Sequence, residues 1–110
     1  KNALKLYVLD KDNKNFDFEN DFCESEQFQD VDCMIACELA GTTKDGSFRT
    51  MSARDISDKC GQCALLFDYI NKNRNIEITT IGIGDGGNEC GMGKVEDRVK
   101  KYIKNGEQIA

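Results

Sequence analysis

Residues 82–93 read GIGDGGNECGMG and hold six of the ten glycines in a chain of 110 residues. Glycine accepts positive φ and lets backbone N–H groups come close to a ligand, so a loop this rich in it suits contact or an unusual path. Asp85, Asn88 and Glu89 lie among these glycines. That polar set fits a ligand bearing an amine, or a metal ion. Gly82, Gly84 and Gly87 match the spacing of a dinucleotide-binding turn, but the charge is wrong for one. Asp85 would sit inside the phosphate cradle with Glu89 just behind it, and two carboxylates repel a pyrophosphate that needs unopposed N–H dipoles. No Gly-Lys-Ser/Thr ending marks a phosphate loop of the other kind. The 110 residues contain no His, which excludes imidazole catalysis and His-ligated metals here.

Cysteine is the second reactive set. Cys60-Gly-Gln-Cys63 has the spacing of a dithiol redox site, at what reads as a helix start, where a thiolate is stabilised. The thioredoxin context places that motif directly after a strand, whereas an irregular polar segment precedes it here. Cys33 and Cys37 together with Cys60 and Cys63 would give zinc four thiolates. In a strand, however, a four-residue offset keeps two side chains on one face but well apart. The simpler reading is a set of reduced thiols, since free Cys packs as a small hydrophobe.

The elements that must carry these groups alternate along the chain. Residues 3–9 (ALKLYVL) and 33–39 (CMIACEL) are short apolar runs that suit strands, and 76–83 (IEITTIGI) is the strongest strand in the sequence. Ser57 or Asp58 can cap a helix whose apolar face is Ala64, Leu65, Leu66, Phe67 and Ile70 and which closes at Asn71-Lys72-Asn73. Val95, Val99, Tyr102 and Ile103 recur on one face of a last helix that stops near Asn105-Gly106. Strands separated by helices predict an α/β fold with a mainly parallel sheet and flanking helices, three-layered and Rossmann-like. Ligands of such sheets sit beyond the carboxyl ends of the strands, which is where the loop after Ile83 falls.

Length and charge bound the rest. A chain of this length makes one domain, or part of one. The net charge of −5 is local: residues 10–32 hold nine acids and two lysines, and the remainder carries +2. That stretch reads as a solvated acidic loop insertion with anchored aromatics and a short helix near Cys23–Phe28. As a calcium loop it fails, with Lys14, Asn15 and Asp21 at the third-ligand, glycine and bidentate-Glu positions. The acidic balance speaks against nucleic acid as a partner. No apolar run approaches the roughly 20 residues of a membrane helix, so no membrane partner is expected either. Oligomeric state is left open.

The stretch Thr79–Val95, TTIGIGDGGNECGMGKV, resembles the signature of the D-glutamate cyclase family: a Gly-Asp-Gly-Gly-Asn-Glu-x-Gly-Met-Gly run after a strand. A second match lies upstream. Ile35–Ser57 is similar to the family's Ile-Ala-x-Glu-x-x-Gly element with its Gly-containing turn and Arg-x-x-Asp-Ile-like ending, at Glu38, Gly41, Gly46, Arg54 and Asp55. The likeness runs from about Val31 to Ala110. The family also has a Gly-Pro-containing acidic motif and a Ser-Asn-Trp-Gly-like motif, neither of which a chain without Pro and Trp can hold. The resemblance therefore implies a piece of a larger domain, with a reduced relative of the family as the alternative.

It also implies a reaction, the hydro-lyase interconversion of D-glutamate with 5-oxo-D-proline and water. Both directions need a positioned carboxylate as base or acid and donors for a tetrahedral oxyanion. Asp85 or Glu89 is the natural base. The N–H groups of Gly86 and Gly87 are oxyanion or carboxylate donors, and Asn88 can bond either end of the ligand. Arg54 would hold a substrate carboxylate, and Glu38 the ammonium. No cofactor is certain, but a divalent cation, Mg or Mn, would find hard oxygen ligands in Asp85, Glu89 and Glu38. The expected compartment is intracellular, cytoplasm or mitochondrial matrix. Two other readings stand beside this one: a non-catalytic small-molecule or metal-binding module, and a zinc or thiol redox domain built on Cys60 and Cys63.

Overall fold

Strand β1 (Cys33–Cys37) and strand β2 (Thr79–Ile83) run parallel, with Cys33 opposite Thr79 and Cys37 opposite Ile83. The computed structural model describes residues 4, 6–10, 12, 15–26 and 28–110. A parallel pair requires a long crossover, and helix α1 (Gln62–Lys72) lies within it. Side chains alternate across the sheet. Met34, Ala36, Thr80 and Gly82 turn towards α1 and are buried or half-buried, whereas Cys33, Ile35, Cys37, Thr79, Ile81 and Ile83 are exposed. The described residues are thus α/β, with one face of a two-stranded sheet covered.

Helix α1 divides its apolar side between two clusters. Ala64 and Phe67 pack with Ala36, Phe48 and Cys90. Leu66 and Ile70 pack with Phe22, flanked by Phe16, Phe18 and Phe28. The acidic stretch is therefore tied down by its phenylalanines. Its helical turn comes earlier than the sequence predicts, as a π-helix over Phe18–Cys23, because the Asp17 side chain accepts from the N–H groups of Glu19 and Asn20.

Other boundaries move for local reasons. Strand β2 starts at Thr79 rather than Ile76, since the first rung runs from Thr79 N–H to the Asp32 carbonyl (2.9 Å) and, among the described residues, no strand lies opposite Ile76 and Ile78. Those two residues join the aromatic cluster instead. Helix α1 begins after Gly61, beyond Ser57 and Asp58. The predicted strand at residues 3–9 does not form over residue 4 or 6–9, and positions 3 and 5 lie outside the described residues. The last helical region breaks into a 3-10 turn (Met92–Val95), α2 (Glu96–Tyr102) and α3 (Gly106–Ile109). Val99 is buried and Ile103 half-buried, but Val95 and Tyr102 face outward. No described helix is long and apolar enough to cross a membrane.

Candidate functional site

Parallel strands bring their carboxyl ends to the same side, so the segments leaving β1 and β2 meet there. Glu38 is the first residue past β1, and its N–H donates to the Ile83 carbonyl (2.8 Å), extending the ladder by one rung. Its φ of 51° is unusual for a residue with a side chain. Gly84 and Asp85 leave β2 beside it. One carboxylate oxygen from each of Glu38, Asp85 and Glu89 lies within 4.8 Å of the others. This is the single group of three or more convergent ligating side chains among the described residues. Three like charges this close favour a cationic ligand, a shared proton or a metal ion.

Glu89 is unlike the other two. It is only 9% exposed, while Glu38 and Asp85 are open to solvent. Its Oε1 accepts from the N–H groups of Gly86 (2.7 Å) and Asp85 (3.2 Å), and its Oε2 from Gly87 N–H (2.7 Å). The loop curls around the side chain. A Cβ on Gly84 would stand 2.6 Å from the Glu89 chain, and one on Gly86 would stand 2.9 Å from Oε1. Gly87 takes φ 101°, which supplies the turn. Burial pushes the Glu89 carboxyl up, but the N–H groups of Gly86, Gly87, Glu89 itself and Asp85 together hold it below its ordinary value. A depressed carboxyl contributes stability above its ordinary value and loses it as pH falls through the folded one. The Gly86 and Gly87 amide proton shifts, followed by NMR from neutral pH downward, should therefore titrate with a midpoint below the ordinary glutamate value of 4.5.

The N–H groups of Gly86 and Gly87, expected from the sequence to face an oxyanion, are bound to Glu89 in this arrangement. Asn88 ties the loop sideways: Nδ2 donates to the Arg49 carbonyl (2.8 Å), and its own carbonyl accepts from Gly41 N–H (2.9 Å). Glu89 pairs with Ala40 in an antiparallel bridge, and Cys90 N–H donates to the Leu39 carbonyl (2.8 Å). The loop is thus fastened to the segment just beyond Glu38. Arg54 is exposed, and its guanidinium has no hydrogen-bond or ion-pair partner among the described residues. It is not part of the carboxylate cluster.

A cavity of about 630 Å³ opens on the other side of the loop, walled by Asp68 and Asn71 of α1, Thr80 of β2, Thr42, Lys94 and Glu89. That is the volume of a small-molecule site. Asp68 Oδ2 accepts from Thr42 Oγ1 (2.5 Å), and Asn71 Oδ1 accepts from Thr80 Oγ1 (2.7 Å). Asp68 is not among the candidate residues expected from the sequence, and Asn71 is expected only as part of the helix end. Their signal was a polar pair three residues apart on an otherwise apolar helix, the spacing that puts two side chains on one face.

All six cysteines are free. Cys33, Cys37, Cys60 and Cys63 do not converge on a common ligand position. Cys60 precedes α1 and Cys63 falls in its first turn. Burial, with Asp58 and Asp55 nearby, pushes the Cys60 thiol up, the opposite of an activated thiolate.

The family model for the D-glutamate cyclase-like C-terminal domain matches residues 1–110. The human mitochondrial D-glutamate cyclase is 38% identical over 79 residues, which is 72% of this chain and 12% of that protein. The matched part of the chain thus spans about an eighth of the length of that relative.

Proposed function

Because the chain belongs to the D-glutamate cyclase-like family, in its C-terminal domain, we propose that the protein interconverts D-glutamate with 5-oxo-D-proline and water, as a hydro-lyase. The observation that supports this most is the meeting of Glu38, Asp85 and Glu89 where the two parallel strands end. In the closing direction a carboxylate takes a proton from the α-ammonium of D-glutamate. The freed amine attacks the γ-carboxyl carbon, the attacking nitrogen gives up a second proton, and the tetrahedral intermediate expels one γ-oxygen as water once both protons have been delivered to it by the carboxylic acids. Ring opening is the reverse. Exposed carboxylates near one another suit both roles, since one can take a proton while another delivers one.

Around that centre we assign the remaining roles. Glu38 binds the substrate ammonium. The unpaired guanidinium of Arg54 holds a substrate carboxylate, and Asn88 can accept from the ligand through Oδ1 while Nδ2 stays on Arg49. Gly86 and Gly87 bear on the substrate through Glu89, whose carboxylate they bind. The three carboxylates also fit a divalent cation of the Mg or Mn class, which would neutralise the cluster and polarise a carboxyl oxygen. The exposed apolar face of the sheet suits a strand pair within a larger three-layer, Rossmann-like sheet, because parallel sheets are covered on both faces. Free thiols and the mitochondrial relative support a place inside the cell, cytoplasm or mitochondrial matrix.

The cavity beside α1 favours a second reading, a small-molecule binding module without turnover. One experiment separates the two. The intact protein is incubated with D-glutamate or 5-oxo-D-proline, and with the L forms as controls, and the other compound is measured by chiral chromatography. Conversion confined to the D series is expected. Binding of either compound without conversion would leave only the module.

A further inference from the structure

The two carboxylates of the glycine loop differ in exposure and in what their oxygens already bind. Glu89 is nearly enclosed, and both of its oxygens accept from backbone N–H groups of the loop that precedes it. Asp85 is exposed, and its side chain reaches the oxygens of Glu38 and Glu89. The glycines explain the division. Gly84 has no room for a Cβ because the Glu89 side chain fills that space, a Cβ on Gly86 would meet Met51 Sδ as well as Glu89 Oε1, and Gly87 takes positive φ where its N–H donates to Oε2. Without Glu89, three N–H groups of a half-buried loop would lose their acceptor at once, and orphaned buried donors are costly. From these observations we infer that Glu89 is a positioning residue, an internal anion around which the Gly84–Asn88 loop folds, and that Asp85 is the carboxylate that exchanges protons with the substrate.

The Gly-Asp-Gly-Gly-Asn-Glu run then reads as one device. Its glycines admit the glutamate, the glutamate fixes the backbone, and the fixed backbone presents the aspartate opposite Glu38. The Asp85 part rests on the cyclase reading, whereas the Glu89 part stands on the geometry alone.

Three variants of the intact protein test it: Glu89→Gln, Gly84→Ala and Asp85→Asn. Turnover and amide hydrogen exchange at Asp85, Gly86 and Gly87 are measured for each. Glu89→Gln puts an NH2 group where an acceptor stood, so exchange at these amides should quicken about tenfold or more, the loss of one good hydrogen bond. Gly84→Ala keeps every carboxylate but pushes the Glu89 chain aside, and it should reproduce both the faster exchange and the lower kcat. Asp85→Asn should leave exchange within about twofold while kcat falls about 100-fold or more with KM little moved. The inference fails if Glu89→Gln abolishes turnover with exchange unchanged, if Gly84→Ala leaves both readouts at the starting values, or if Asp85→Asn retains turnover. A starting protein that turns over neither compound would sink the cyclase reading. The exchange data would still decide the role of Glu89.

Discussion

Replacing Gly82 with alanine is expected to destabilise the domain by about 3 kcal/mol, the upper end of the usual cost of overpacking a core. Gly82 sits in β2 on the covered face, opposite Ala36. A Cβ there would stand 2.1 Å from the Cys90 carbonyl oxygen, 3.0 Å from its carbon and 3.1 Å from the Gly91 Cα. All three are backbone atoms, so no rotamer change relieves the clash, and either the strand or the returning loop must move. The consequence reaches the site, because the Cys90–Gly91 backbone lying on Gly82 is what holds Glu89 over the Gly84–Gly87 turn. Gly93→Ala is the control: nothing lies within 4 Å of a Cβ at that position. Its unfolding free energy from urea titration should stay within about 0.5 kcal/mol of the parent. Equal midpoints for the two variants would show that the loop does not rest on the strand.

Gly82 also marks the limit of what the sequence discloses. Its place near the end of a strand that runs into a glycine-rich loop was legible, since local spacing and composition carry that information. Its packing partner, Cys90, was not, because nothing in the spacing says that the loop folds back across its own strand. The same contrast runs through the carboxylates. Asp85 and Glu89 stood out by their odd company among glycines, and Glu38 was found through the resemblance. Their different burial follows from a backbone path that composition does not specify. Strand propensity misled where a partner was needed: Leu4, Leu6 and Val8 alternate as a strand would and are largely exposed, and Ile76 and Ile78 pack on aromatics instead of pairing. A strand is stabilised by its neighbours, so a β-branched or apolar run predicts the element only where another strand lies opposite. The carboxyl-terminal helix shows the converse. Its four apolar positions fit one face, yet only Val99 and Ile103 have a surface to cover, a Cβ position on Gly87 lying 2.8 Å from the Val99 side chain.

Phe67→Ala should cost about 3–5 kcal/mol, as large-to-small changes at buried aromatic positions do. Phe67 is 3% exposed and joins α1 to β1, to Phe48 and to Cys90. It also lines the cavity next to Asp68. The cost divides into the lost transfer of an aromatic ring and the void left beneath the glycine loop. Phe22→Ala is the comparison that separates stability from function. Phe22 is 5% exposed and should cost a similar amount, but its neighbours are the aromatic stretch and the far half of α1. Under conditions where both variants are still folded, Phe22→Ala should leave kcat near the parent value. Phe67→Ala should lower it, because the void lies against Cys90, one residue from the anion that shapes the loop. Phe67→Leu, which refills most of the volume, should recover much of both losses. If instead the two alanine variants lose stability equally and neither changes turnover, the glycine loop holds its shape through its own hydrogen bonds, and the core beneath it carries the site without tuning it.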